Sequence, residues 1–461
     1  IPYQYDFYSL YIVSGDRVLW ANMKQLAAFM KAELTNQFHP RHEFKAGFEL
    51  KHYNVDSDVR KMEPQKTYFG KPLVLLPLLN YSSRYHYYPR SGSIFIQDKF
   101  ESGKNQSGIS VGLRFDFLDP RASRPAVELV PVKENEYREN LVAYKPAKIQ
   151  YNLSPRFGFS FPITEKSHLF INYGHYIQYP LFEHLYSGLD NVNLRYGVNV
   201  LRGNPNLLAE KTRAWEISAR HNVFEKVVVS ALYFKKETTD QIDTKTFVPS
   251  NSRIAGDYGF CEYVNNPYAI SHGFEFIVSR ETGKWIRGSF SYTIMDAKGI
   301  SEYEDQGLNY AQWGFAVANS PFYLSWDQRH TVKADMVLDL PLSTTANIIW
   351  QYHSGRPYTY YPSQDGFTPD NPDILFLPNN RRMPANNFLD LKVSKEFKFG
   401  HILKASQAQR YKVALYVESK NVFNQKNVRW IDSSGRIGGE LSDPSAYDIG
   451  RRTAFGAEIE L

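Results

Sequence analysis

The side chains best suited to chemistry in this sequence are tyrosines interleaved with arginines, and the chemistry they suit is recognition. Tyr81, Tyr85, His86, Tyr87 and Tyr88 lie among Arg84 and Arg90. Tyr358, Tyr360 and Tyr361 follow Arg356, and Tyr186 precedes Arg195 and Tyr196. An aromatic face beside a guanidinium can hold a sugar, a peptide or an aromatic chelate. Catalysis has less support. His184 beside Glu183, and His330 near Asp327, are the nearest approach to an acid–base pair, and no nucleophile motif accompanies either. The histidines are scattered without acidic partners at ligand spacing. Asp365, Asp370 and Asp373 lack the spacing of a calcium loop. The single Cys261 excludes an internal disulfide and a cysteine-built cluster. These residues describe a binding protein, not an enzyme, with no metal site or cofactor.

The elements that must position these residues are strands. Ile109, Val111, Leu113, Phe115 and Phe117 alternate with Ser110, Gly112, Arg114 and Asp116. Phe44, Ala46, Phe48 and Leu50 alternate with Lys45, Gly47 and Glu49. The same period recurs at 286–294 and 411–418. Such alternation gives a strand one apolar and one polar face. Sixteen strands are expected, near 3–13, 22–35, 42–53, 92–101, 107–118, 155–162, 167–179, 213–222, 226–238, 271–280, 285–296, 328–340, 344–354, 387–399, 410–420 and 453–461. Many runs are as long as a membrane-spanning strand, about 9 to 11 residues, and longer than the usual soluble strand.

After the first, the connections alternate strictly between short and long. The long ones are 54–91, 119–154, 180–212, 239–270, 297–327, 355–386 and 421–452. A compact soluble domain rarely tolerates even one structureless loop of that length. In an up-and-down sheet every second connection emerges on the same side, and outer-membrane barrels have short periplasmic turns and long extracellular loops. The sheet must close, because unpaired backbone groups are not tolerated in lipid. A barrel also reconciles 15% aromatic residues with a mean hydropathy of -0.46. No repeated blade signature supports a propeller, and a net charge of +6 is too small to argue a nucleic-acid partner.

Several stretches resemble the β-barrel of TonB-dependent outer-membrane receptors, nearest to the Oar-like subgroup with a carboxypeptidase-regulatory-like domain. They are His42–Glu49 (HEFKAGFE), Ser93–Lys99 (SIFIQDK), Gly112–Asp116 (GLRFD), Leu153–Ser160 (LSPRFGFS) and Asn172–Tyr176 (NYGHY). Gly203–Leu207 (GNPNL) with Glu210, Lys211, Trp215 and Glu216 is the most telling. His272–Glu275, Trp326–His330, Ser354–Tyr358 and Asn421–Asn424 complete the set in family order.

The resemblance implies a cell outer-membrane receptor that captures a ligand on extracellular loops. It further implies import with TonB-derived energy through a barrel gated by a plug domain. Family barrels have 22 strands, so the chain is expected to be the C-terminal portion of the barrel, 1–461, with the plug and first strands absent. Implied partners are outer-membrane lipid or lipopolysaccharide, the protein's own plug, TonB through that plug, an unidentified ligand, and surface or periplasmic proteins. Alternatives are a surface scaffold, an export or adhesion barrel, or a passive 16-stranded pore. Ligand candidates are Tyr85, Tyr87, Tyr88, Arg90, Tyr186, Arg195, Tyr196, Arg356, Tyr358, Tyr360 and Tyr361. Those near strand ends also suit an interfacial aromatic girdle. Arg114, Asp116, Glu216, Glu275, Arg287 and Glu418 are expected to face the lumen, where they would grip the plug, guide substrate or simply line a wet interior.

Overall fold

The computed structural model describes residues 4–5, 12–14, 18–62, 81–103, 107–133, 136–189, 200–224, 226–247, 260–308, 320–360, 377–398, 412–439 and 441–460. Among the described residues, fifteen long strands form an antiparallel barrel. In chain order they are β1 (Val18–His39), β2 (His42–Met62), β3 (Arg90–Glu101), β4 (Gly108–Asp119), β5 (Gln150–Thr164), β6 (Ser167–Gln178), β7 (Glu210–Phe224) and β8 (Val227–Thr239). They continue as β9 (Ala269–Arg280), β10 (Ile286–Gly299), β11 (His330–Leu340), β12 (Thr344–His353), β13 (Asn386–Lys398), β14 (Lys412–Lys420) and β15 (Arg452–Glu460). Two short strands, Tyr81–Tyr87 and Phe322–Tyr323, extend the sheet above β2 and β10. Of the expected strand 3–13, the described residues Gln4–Tyr5 pair with Ile12–Ser14 in a separate two-stranded sheet.

Neighbours in the barrel are neighbours in sequence, and residue-by-residue antiparallel ladders join β1 through to β15. The ring order then sets β15 beside β1. This seam is thinner than the other junctions. Phe29 on β1 and Phe455 on β15 are 71% and 80% exposed, and side chains on both faces of these two strands are open.

The alternation produces two chemically distinct faces. On β4, Ile109, Val111, Leu113 and Phe115 are exposed outward, while Ser110, Gly112 and Arg114 turn inward and Asp116 is buried. The pairing keeps each face in register: Phe115 stands between Ile94 and Leu153, and Val111 between Asp98 and Phe157. Between β1 and β15 these ladders satisfy the backbone internally, which suits a wall that stands in hydrocarbon. Among the described residues no helix is long and apolar enough to cross a membrane.

Short turns occupy one end of the barrel. Residues 341–343 are one described case, with Leu342 and Ser343 both at positive φ; that handedness suits a hairpin joining two right-twisted strands. The seven long connections all leave from the other end. They carry their own structure: a hairpin of Ser123–Lys133 with Glu136–Pro146, the helix α1 (Phe182–Tyr186), and a small sheet joining Val200–Arg202, Phe260–Asn265 and Ile242–Phe247. The main apolar core lies here, between the loops and the upper inner wall.

Candidate functional site

The loop layer starts from a cluster of tyrosines. Tyr186 on α1 is fully buried, with its ring stacked on Tyr87 at 4.4 Å and tilted against Tyr85 at 5.7 Å. Its hydroxyl donates to the Pro120 carbonyl at 2.7 Å. Phe182 packs on the same ring and reaches Tyr53 of β2 at 5.1 Å. Leu185, Leu189, Leu207, Val55 and Leu118 complete the core. The described residues of this loop, 180–189 and 200–209, are thus folded onto β2, β4 and the Tyr81–Tyr87 strand. Burial raises the phenol pKa of Tyr186 well above its ordinary value and pushes that of Tyr179 up to about 12, so both hydroxyls stay protonated.

Gly203–Leu207 (GNPNL) is the keystone between three loops. The Gly203 amide donates to the Ser187 carbonyl at 2.6 Å, and the Asn204 amide to the His184 carbonyl at 2.8 Å. A Cβ at Gly203 would come within 2.8 Å of backbone at Leu185 and Ser187, so only glycine permits this approach. Asn204 donates from its side chain to the Tyr263 carbonyl, and Asn206 accepts from the Lys148 amide. Gln150, at the foot of β5, donates to the Leu207 carbonyl.

Further locks tie each remaining loop to the next. Arg124 donates to Glu262 at 2.5 Å, and Glu262 is buried with Arg202 nearby. Burial nevertheless dominates and holds the Glu262 carboxyl above the usual carboxylate range. Asp243 accepts from the Gly307 amide at 2.9 Å, and Thr244 from the Leu308 amide at 2.7 Å, which joins the 240–268 and 300–329 loops. Burial also raises Asp243, against the pull of the Gly307 and Thr244 amides. Asn379 donates to Glu302 and to the Tyr323 carbonyl. Arg382 pairs with Asp327, which is wholly buried and also accepts from the Ala297 amide at 2.8 Å. Asn386 and Asn387 exchange bonds with Val428 and Asn427 in the last loop. The described residues of all seven long loops are therefore interlocked.

The sequence candidates are distributed through this layer. Tyr85 and Tyr186 are buried in its core, and Tyr87 is half-buried against Tyr186. Tyr88 is exposed and stacks near His52 and His86, and Arg90 is exposed at the start of β3. Arg356 is exposed, while Tyr358 and Tyr360 are half-buried. Arg381 sits 3.5 Å above the Tyr360 ring. Both tyrosines back onto Gly435, whose φ of +83° marks a tight turn of the last loop. Arg195, Tyr196 and Tyr361 lie outside the described residues, as do Asp365, Asp370 and Asp373.

Arg114, Asp116, Glu216, Glu275, Arg287 and Glu418 all fall in the inward register, alternating with outward residues such as Phe115, Trp215, Phe274 and Val417. Arg114 grips Asp116 through its Nε at 3.0 Å and Nη2 at 2.9 Å. Arg287 pairs with Asp339 at 3.3 Å. Asn152, opposite Asp116 on β5, is at 3.5 Å from the Tyr179 hydroxyl, so lining and loop layer meet there.

Sequence reasoning missed Asp243, Glu262, Glu302 and Asn379, which carry the interloop locks. Their partners lie 64, 138 and 77 residues away, and no local pattern marks them. Among the described residues no group of three or more His, Cys, Asp or Glu is placed to hold a metal ion. The layer can therefore present rings and cations to a ligand, chiefly Arg381 over Tyr360 with Arg356 close in sequence.

No curated protein matches the sequence. Solved structures match the fold. The siderophore receptor PirA from Acinetobacter baumannii superposes with a TM-score of 0.58 at 14% identity, covering 95% of this chain and 55% of that one. The Serratia marcescens hemophore receptor HasR, solved as a double mutant with its hemophore HasA and heme, gives 0.56 at 14%, with 96% and 60% covered. The ferric-catecholate import receptor Fiu from K12 E. coli gives 0.53 at 12%, with 95% and 55% covered. The chain spans a little over half the length of these receptors, and at such identity the likeness concerns the fold. The family model "TonB dependent receptor-like, beta-barrel" matches residues 3–429. With that match over nearly the whole barrel, the chain belongs to the TonB-dependent receptor family, whose barrels reside in the outer membrane.

Proposed function

We propose that the protein captures a ligand on the long-loop face and imports it with energy drawn through TonB, the barrel lumen being gated by a plug domain. The observation that carries this reading is the interlocked loop layer above a charged inner wall. A layer built from seven loops can hold rings and guanidinium groups in fixed positions, which lowers the ordering cost of binding. The charged inward face, with Arg114, Asp116, Glu216, Glu275 and Glu418, suits contact with a polar plug and a wet passage. Gly203–Leu207 (GNPNL) and the other motifs support placing the chain in the Oar-like subgroup. The solved neighbours are described as receptors or transporters of ferric catecholates, ferric citrate, enterobactin and copper, and one is bound to a hemophore with heme. A ferric chelate with aromatic or anionic groups is accordingly the ligand class to test first, at Tyr358, Tyr360, Arg356 and Arg381.

The test is growth and uptake under iron limitation on a panel of ferric chelates. Cells with and without the gene are compared in backgrounds with and without TonB. Uptake that needs both supports the proposal. Uptake indifferent to TonB would overturn energy coupling and favour a passive pore. No gene-dependent uptake of any chelate, with loss of surface attachment or export instead, would favour the scaffold alternative.

A further inference from the structure

Arg356, Tyr358 and Arg381 stand on one face of a short two-stranded ribbon in the 355–386 loop. Tyr358 lies opposite Arg381, and Pro357 opposite Arg382. The Met383 amide donates to the Arg356 carbonyl at 2.9 Å, which carries the register one residue further. Side chains alternate between the faces of such a ribbon, so Pro357 and Arg382 take the other face. The ribbon is pinned beyond its paired residues. Asn380 accepts from the Tyr360 amide at 2.9 Å and donates to its carbonyl at 3.1 Å, and the Asn379 amide donates to Thr359 at 3.0 Å.

The two faces use their charge differently. Arg382 is bound to the buried Asp327. Other cations of the loop layer are paired in the same way, Arg329 and Lys298 with Asp296, and Arg124 with Glu262. Arg356 and Arg381 are exposed and have no ion-pair partner among the described residues. As diagonal neighbours across an antiparallel pair they are about 7–8 Å apart at the backbone, so one small ligand can touch both. The charges that act on His353, at the top of β12, are also positive, those of Lys333 and Arg356.

The rings are less free than the cations. Arg381 already covers one face of the Tyr360 ring, 3.5 Å from its centre. Gly435 of the last loop lies so close that a Cβ there would come within 3.2 Å of the Tyr360 ring and 3.3 Å of the Tyr358 hydroxyl. A guanidinium stacked on a ring keeps its N–H fork in its own plane, directed past the ring, and that fork matches the two oxygens of a carboxylate. We propose that the ligand captured here is a small polycarboxylate, free or wrapped around a metal ion, held through its carboxylates by Arg381 and Arg356. Tyr360 is the platform that orients Arg381, and no ring of the ligand stacks on it. The inference rests on the capture reading above and narrows its ligand from aromatic chelates to carboxylate ones.

Equilibrium dialysis of the full-length receptor in detergent tests this, with radiolabelled citrate, with and without ferric iron, and with ferric 2,3-dihydroxybenzoate as the catecholate. The wild type should bind citrate at least several-fold more tightly than the catecholate. Whether iron is needed for that binding tells the chelate from the free acid. Arg356→Gln and Arg381→Gln should each weaken citrate binding several-fold, and together about tenfold or more, the scale of partly exposed charged hydrogen bonds. Tyr360→Leu should also weaken it several-fold, as expected for an exposed cation–π contact, and Tyr360→Phe should recover most of the loss. Catecholate binding as tight as that of citrate would overturn the proposal, as would unchanged citrate binding in the double variant. Displacement of citrate by inorganic phosphate as effective as that by metal-free tricarballylate would overturn the carboxylate assignment. Dialysis involves no TonB, so loss of energy-coupled uptake would strike the import reading alone, and a receptor that bound only the catecholate would strike this inference alone. Heat-modifiable migration in gels, read in parallel, shows whether each barrel is folded.

Discussion

Removing Tyr186 should open the loop layer and leave the barrel intact. The side chain is fully buried, stacked on Tyr87 and hydrogen-bonded to the Pro120 carbonyl. Tyr186→Phe deletes only the hydroxyl. It leaves the Pro120 carbonyl without that donor, at a cost of about 1–2 kcal/mol for a buried, unsatisfied group. Tyr186→Ala also removes the ring, and large aromatic truncations in cores cost about 3–5 kcal/mol. About 0.5–1.5 kcal/mol of that belongs to the aromatic pairs themselves. Because the layer rests on the wall without forming it, these losses should appear as local opening. Hydrogen exchange in detergent micelles reads this directly. Amides at 182–189 and 203–207 should exchange about tenfold faster in Tyr186→Phe, since each 1.4 kcal/mol is a factor of ten. In Tyr186→Ala they should approach the unprotected rate. Ladder amides of β7 and β8 should keep their wild-type protection. Uniform loss of protection across the barrel would refute the separation of layer and wall. Unchanged exchange in both variants would refute the role of the cluster.

Gly203→Val should have a similar local signature, costing about 1–3 kcal/mol because the new side chain meets backbone at Leu185 and Ser187; limited proteolysis of the 180–209 loop checks it. Acid should loosen the same loop. His184 is buried against Tyr263, and its imidazole sits below its ordinary value because burial disfavours the charged form. The unfolded loop therefore takes up the proton first, so stability is full above about pH 6.5 and declines as pH falls below it. Exchange rates at pH 7.5 and 5.5, corrected for intrinsic rates, test this, and His184→Phe should flatten the dependence. Arg124→Ala should release the 120–149 loop by about 1–2 kcal/mol, the low end for a charged bond because the arginine is partly exposed; protease sensitivity of that loop is the measure. Arg381→Ala should weaken capture of an aromatic or anionic chelate several-fold, the scale of an exposed cation–π contact. It should raise the apparent KM of uptake without changing the amount of folded receptor.

The wall was legible in the sequence because its rule is local. Any strand with apolar residues at every second position satisfies it, and Ile109 to Phe117 shows the period without reference to the rest of the chain. The parity of short and long connections then implied the barrel. Differences arise where the rule stops being local. The 119–154 connection contains a hairpin that simple alternation did not separate, and β1 and β2 run to 22 and 21 residues, well beyond the membrane band. Tyr85 and Tyr186 were candidates because tyrosine in a polar loop is ambiguous. Residue type cannot say whether the ring faces a ligand or another loop, and both rings are buried. Gly203 is visible in the sequence as part of the GNPNL motif, and its packing role comes from α1 lying against it.

The two rules place different demands on sequence. The wall needs only a class of residue at each position, so barrels sharing 12–14% of their residues can superpose over most of this chain. The loop locks need particular partners. Asp243 must find two amides, one of them 64 residues away, and Glu262 must find Arg124. A change at one lock is not repaired by any apolar substitute, because it strands a buried polar group. Sequence change in this fold can thus accumulate freely in the wall, while under the proposed capture of ligand on the loops a change of ligand preference involves the locked layer. Swapping a single loop from a relative should fail to transfer ligand preference, because the incoming loop lacks the partners that hold its neighbours. Moving the whole set of long loops onto the same wall carries those partners along, and that is the exchange expected to move specificity.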